Sequence, residues 1–169
     1  MNDGAITASA TTEEAALLNV GDRAPEFDTV DQDGTPMRLS EALASGPVIL
    51  YFYPADFSPL CTAQACAIRD TSPALDSASI RIFGVSPQSP ASHRRFAERF
   101  GLTFALLSDP DKTIIRAYGV DGPLGFGVRR ATFLIARDGR IARRVVSDLF
   151  LGSHTAFIAG VLKDPETGA

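Results

Sequence analysis

At 169 residues, 45% hydrophobic and 21% charged, the chain has the make-up of one globular domain, long enough to bury roughly two thirds of the surface its unfolded form exposes. A formal net charge of −4 and a pI near 5.1 argue against nucleic acid or an anionic membrane surface as the main partner. Two cysteines make no disulfide framework; without a basic, apolar leader or any run approaching about 18 apolar residues, the chain reads as cytoplasmic and free of membrane spans.

Residues 1–17 read as an appendage in which Thr11 and Glu14 can cap a short helix, and residues 18–165 as the domain proper. The stretch GDRAPEFDTVDQDGTPMRLSEAL predicts two short strands around the turn Asp33-Gly34, then a helix capped by Ser40. PVILYFYP is continuously apolar and rich in β-branched and aromatic residues, which predicts a central strand covered on both faces and ended by Pro54. CTAQACAIRDTSPAL is helix-compatible as far as Pro73, SIRIFGVS predicts a second buried strand, and PASHRRFAERFG a helix with a proline start and a glycine stop.

FALLSD then reads as a strand and PDKTIIRAYGV as a short helix, while GPLGFG reads as a flexible connection whose glycines are wrongly ordered for a dinucleotide loop. RATFLIARDGRIARRVVS predicts two strands joined at Asp138-Gly139, and SHTAFIAGVLK a closing helix. Parallel strands first, an antiparallel hairpin afterwards and helices on both faces predict a thioredoxin-like α/β fold with a central mixed sheet.

Both cysteines fall in YPADFSPLCTAQAC. In a reducing compartment such a pair is more often catalytic or metal-binding than structural. With the helix starting near Leu60, Cys61 lies in its first turn, where unpaired N–H groups and the helix dipole favour an anion and hence the nucleophilic thiolate. Cys66 is five steps further on. That separation gives a rise of about 7.5 Å and places it on another face, so a bond between the two requires the helix start to unwind.

The arrangement Pro54, Ser58, Cys61 resembles the active-site loop of the peroxiredoxins, P-x-x-x-(T/S)-x-x-C, and a second cysteine after four residues resembles their peroxiredoxin Q, or bacterioferritin comigratory protein, subgroup. The resemblance extends through FGVSPQS to RATFLIARDGRI. It implies a thiol peroxidase for hydrogen peroxide and organic hydroperoxides, with Cys61 as the attacking thiolate and Cys66 as the thiol that resolves its sulfenic acid into an intramolecular disulfide. It assigns Arg130 to the thiolate, Ser58 and the Cys61 N–H to the peroxide oxygens, and Pro54 to shielding the sulfur. It also implies an external dithiol such as thioredoxin as reductant, no metal or organic cofactor, and a monomer or weak homodimer. Alternation along a strand turns Arg129 the other way. Serine in place of the commoner threonine keeps the hydroxyl, and the bulk of Phe57 and Leu60 suggests an apolar mouth suited to organic hydroperoxides.

Other readings compete. The cysteines could be two buried small hydrophobes, or zinc ligands with His93 and His154, although neither histidine has a second ligand at the usual spacing. A non-catalytic thioredoxin-fold redox sensor would use the same pair as a switch. His93, beside Arg94 and Arg95, reads as solvated and His154 as a helix cap; Tyr53 reads as strand core and Asp56 as an Asx-turn residue of the loop. The arginines at 137, 140, 143 and 144 read as a solvated strand edge that resists edge pairing.

Overall fold

The computed structural model describes residues 16–164; the capping box at Thr11 to Glu14 lies outside them. Strands β1 (Asp28–Val30) and β2 (Pro36–Arg38) form a small antiparallel hairpin around Asp33-Gly34. Five further strands, β3 (Val48–Phe52), β4 (Arg81–Ser86), β5 (Ala105–Ser108), β6 (Ala131–Ile135) and β7 (Ile141–Val146), build one sheet in the order β5-β4-β3-β6-β7. β3, β4 and β5 run parallel, whereas β6 and β7 are antiparallel to their neighbours. β3 is the central strand and all five of its residues are buried, as its unbroken apolar run requires.

Alternation along β3 divides the core. Val48, Leu50 and Phe52 face helices α1 (Leu39–Ser45) and α4 (Thr113–Ala117) through Leu39, Ala42, Ile114 and Ile115. Ile49 and Tyr51 face α2 (Pro59–Ser77), α3 (Pro90–Phe100) and α5 (Leu151–Lys163), which supply Cys61, Ala65, Ile68, Leu75, Phe96 and Phe157. Both faces of the sheet are therefore covered, giving the thioredoxin-like arrangement of a mixed sheet between helical layers.

Three local expectations change. Helix α1 is not capped by Ser40: its N-cap is Arg38, and the Glu26 carboxylate accepts from the Ser40 N–H at 3.2 Å from both oxygens. Helix α2 does not stop at Pro73 but runs on to Ser77. Proline removes a helical donor and crowds the carbonyl four residues back. Ser72 and Leu75 are nevertheless buried, which holds that turn to the core, and the Thr71 and Ser72 hydroxyls donate to the Ala67 and Ile68 carbonyls at 2.9 and 3.0 Å. The GPLGFG connection is tied rather than loose, because Lys112 Nζ donates to the Gly125 and Gly127 carbonyls at 2.8 Å and to Asp121 at 2.9 Å.

Of the hairpin arginines, Arg137 and Arg140 are exposed as a solvated edge requires, whereas Arg143 and Arg144 are half-buried. Arg140 and Arg144 donate to the Gly21 and Leu18 carbonyls at 2.9 and 2.6 Å, and Arg143 lies 5.4 Å over the Phe157 ring. The backbone of residues 21–24 bonds to Gly139 and Ile141, so one end of the β7 edge is covered by the segment that precedes β1. No helix among the described residues is long and apolar enough to cross a membrane.

The α1 cap is testable by urea denaturation. Glu26→Ala should cost about 1 kcal/mol, the scale of a lost N-terminal cap, and Ser40→Ala no more than a few tenths. The opposite ranking would restore Ser40 as the cap.

Candidate active site

The loop from Tyr53 to Ser58 joins the central strand to α2. Ser58 is the N-cap of that helix, with extended backbone, and Pro59 occupies the first helical position, where its missing N–H costs nothing. The Ser58 hydroxyl accepts from the Cys61 N–H at 3.4 Å and donates to the Ala55 carbonyl at 3.3 Å. Cys61 thus lies in the first turn, 2% exposed, with its N–H turned towards the same hydroxyl. Pro54 is half-buried where the loop leaves the strand.

Arg130 immediately precedes β6, in phase with Thr132 and Leu134, and its side chain enters the α2 side of the sheet. Its Nη2 is 3.4 Å from Cys61 Sγ, and the residue is 3% exposed. Arg129 points elsewhere, with Nε 3.7 Å from an Asp148 oxygen at the surface. The other Asp148 oxygen accepts from the Arg130 backbone N–H at 2.8 Å, which anchors the start of β6. Among the described residues no carboxylate forms an ion pair with the Arg130 guanidinium. The structure thus brings Cys61, Ser58 and Arg130 together. Cys66 is half-buried in the intact helix, and both thiols are free.

Gln64, which sequence reasoning missed, completes the arginine's surroundings. It is 1% exposed, and its Oε1 accepts a short hydrogen bond from Arg130 Nη1. The signal was available: Gln64 is one turn beyond Cys61, a polar residue on a stripe otherwise made of Cys61, Ala65 and Ile68. Gln64 Nε2 and Arg130 Nε are buried without hydrogen-bond partners among the described residues. Tyr51 lies on the same side of the sheet. A Cβ at Gly84 would meet its ring and hydroxyl at 2.7 Å, so glycine makes the room for it. Burial, then the nearness of Cys61 and Asp56, pushes the Tyr51 hydroxyl well above the ordinary tyrosine range.

Neither histidine occupies its expected place. His93 is fully buried, not solvated, with Nδ1 2.9 Å from Asp56 Oδ2 and Nε2 3.2 Å from the Leu107 carbonyl. Asp56 makes no Asx turn; it accepts from the Tyr53 hydroxyl and the Ser92 hydroxyl at 2.7 Å each. Burial alone would raise its carboxyl, but the hydrogen bond and charge of His93, with the two hydroxyls, hold it below the usual range. His154 is buried rather than a cap. Its Nδ1 lies 2.8 Å from the Thr132 hydroxyl and its Nε2 donates to the Ser147 carbonyl at 2.9 Å. Burial lowers its pKa, and the Arg130 charge adds to that. The two histidines are thus engaged in separate polar sites.

The AhpC/TSA family model matches residues 20–144. The chain belongs to this family. Over 153 residues the peroxiredoxin is 37% identical to peroxiredoxin Bcp of Escherichia coli K12, covering 87% of this chain and 97% of that protein. A putative peroxiredoxin of Mycobacterium tuberculosis is 40% identical over 130 residues, 73% of this chain and 82% of its own. Among solved structures, peroxidoxin BcpB of the same organism superposes with a TM-score of 0.79 at 35% identity, covering 85% of this chain and 96% of that one. Peroxiredoxin Q of Xanthomonas campestris gives 0.75 at 28%, covering 83% and 91%.

His154 predicts a pH dependence. Its pKa is lowered on folding, so the unfolded chain binds the extra proton first, and stability present above about pH 6.5 is lost as pH falls below it. His154→Gln, which keeps a donor for the Ser147 carbonyl, should flatten the fall in denaturation midpoint between about pH 7 and pH 5. An unchanged slope would place that pH dependence elsewhere.

Proposed function

We propose that this peroxiredoxin reduces peroxides through Cys61 and Cys66, and the observation that carries the reading is the 3.4 Å contact between Cys61 Sγ and the buried Arg130 guanidinium at a helix start. A buried cation without a carboxylate partner is matched by a sulfur anion, and the first-turn N–H groups add to that match. The thiolate attacks one peroxide oxygen and the O–O bond breaks. Cys61 becomes a sulfenic acid, and the departing oxygen leaves as water or an alcohol after taking a proton. Arg130 offers charge-assisted donors to the charge that grows on the leaving oxygen. The Ser58 hydroxyl and the Cys61 N–H, already facing each other, can turn to the incoming oxygens, while Pro54 contributes no competing donor.

Cys66 then attacks the Cys61 sulfur, water departs, and an intramolecular disulfide forms. A dithiol such as thioredoxin restores both thiols by exchange. Residues 18–165 act as the peroxidase domain and 1–17 as an appendage, in a cytoplasmic monomer or weak homodimer. Phe57 and Leu60 are 45% and 44% exposed at the start of α2, and Leu149 and Phe150 are exposed just beyond the Asp148 that holds Arg130. These exposed apolar side chains suit organic hydroperoxides beside hydrogen peroxide. A structure of the bacterioferritin comigratory protein of Xanthomonas campestris is described in terms of alkyl peroxide reduction activity.

The cycle requires motion. Residues five apart on a helix are separated by about 7.5 Å along its axis and face different ways, so the first turns of α2 must open for the sulfurs to meet. Pro59, Leu60 and Ala63 are exposed there, which leaves few apolar anchors to break.

Stopped-flow peroxide loss tests the division of labour. Cys61→Ser should abolish the reaction, and Cys66→Ser should keep one rapid turnover and then stall. Wild type with a dithiol supply should consume many equivalents, where a redox sensor would consume about one; a Cys61→Ser protein as active as wild type ends the peroxidase reading. Arg130→Ala should slow the peroxide step by roughly tenfold or more, as when a preorganised donor is removed, and move Cys61 alkylation to higher pH. Arg129→Ala should do neither, and a reversed ranking would reassign the arginine.

A further inference from the structure

The mechanism leaves one buried ionisable pair unused. Asp56 and His93 have side chains only 1% and 0% exposed, and they join the loop ahead of Cys61 to helix α3. The Tyr53 and Ser92 hydroxyls each donate to Asp56 at 2.7 Å, and His93 Nδ1 lies 3.0 and 2.9 Å from its two oxygens. The Asp56 N–H donates to Gln88 Oε1 at 3.2 Å, so its main chain and side chain are both held. His93 faces a carboxylate at one nitrogen and the Leu107 carbonyl at the other.

The next residue is strained. Phe57 has φ 64°, a region that a bulky side chain occupies only where its surroundings hold it. Its ring lies 5.2 Å from that of Phe96 and 6.3 Å from that of Phe100, both on α3. Strain on one side and a multiply bonded carboxylate on the other bracket the turn into Ser58. The connection to the sulfur is short: the Ala55 carbonyl, beside Asp56, accepts from the Ser58 hydroxyl, and that hydroxyl accepts from the Cys61 N–H.

We propose that the Asp56–His93 pair is a positioning device for Cys61, holding the strained loop against α3 so that Ser58 and the first turn of α2 present the sulfur to Arg130. His93 touches neither sulfur nor peroxide; it acts through Asp56 and the loop. The inference rests on the reading of Cys61 as the reacting thiol. Its test therefore uses a measurement that needs no peroxidase turnover.

In the reduced full-length protein, the pH profile of Cys61 alkylation, followed by mass spectrometry of its peptide, reads the sulfur's surroundings directly. His93→Ala should move that profile to higher pH and slow the peroxide step by roughly tenfold, within the range for a displaced reacting group. His93→Asn, whose amide can donate to Asp56 in place of Nδ1, should recover most of both. Leu39→Ala, a cavity in the opposite half of the core, should lower the melting temperature and leave the profile unchanged. If His93→Ala does not fold, Ser92→Ala removes one donor to Asp56 and should shift the profile in the same direction by less. The proposal is overturned by a wild-type profile in folded His93→Ala or Ser92→Ala, by His93→Asn as impaired as His93→Ala, or by an equal shift in Leu39→Ala. A wild-type protein that turns over no peroxide would sink the function proposed above, while the alkylation profiles would still decide the clamp.

Discussion

The contact between Cys61 and Arg130 sets the conditions for everything around it. A guanidinium 3% exposed is costly unless its donors are used, and it is brought from the residue just before β6 to a helix start sixty-nine residues earlier in the chain. Strand parity aims it: Thr132 and Leu134 face α2 and α5, so Arg130 does too, while Arg129 goes to the surface. Asp148 fixes its main chain, and Gln64 takes one of its nitrogens without bringing a negative charge. A carboxylate in the place of Gln64 would compete with sulfur for the same cation. The neutral amide holds the arginine still and leaves its charge for the thiol.

The same cation accounts for the difference between the two histidines. His154 sits on the Arg130 side of the sheet, with Nδ1 against the Thr132 hydroxyl and Nε2 against the Ser147 carbonyl, where burial and the Arg130 charge favour the neutral ring. A second positive charge beside Arg130 would have no partner. His93 lies at the other end of the site, against a carboxylate and a carbonyl, both acceptors. Two imidazoles with equal burial thus meet different partners at their nitrogens.

Much of this was legible in the sequence because it is carried by local pattern. The unbroken run of β3, the Asp138-Gly139 turn and the proline start of α3 each predict their element without knowledge of its neighbours. Strand alternation separates Arg130 from Arg129 in the same way. What the sequence could not show was partnership across distance. Glu26 replaces Ser40 at the cap of α1 from fourteen residues away, and Leu75 keeps α2 helical beyond a proline by docking on a sheet that local rules do not see. His93, followed by two arginines, looks solvated until α3 is laid against the sheet with His93, Phe96 and Ala97 inward.

The helix that carries both thiols must satisfy two opposed demands. The sulfur has to be held in a fixed direction for attack, yet the turn that holds it has to open before Cys66 can reach it. The structure distributes these demands along α2. Beyond Cys66 the helix is anchored by Ile68, Ser72 and Leu75, which resist opening. Ahead of it, Cys61, Gln64 and Ala65 are buried, but the first turn has one hydroxyl cap at 3.4 Å and exposed Pro59, Leu60 and Ala63, and so resists opening less. Fixing the turn from outside, through Asp56 and α3, lets it be rigid while the loop is docked and weak once its cap is lost. A helix start stabilised instead by its own apolar contacts would hold the thiolate equally well but would oppose the disulfide with every contact it had to break.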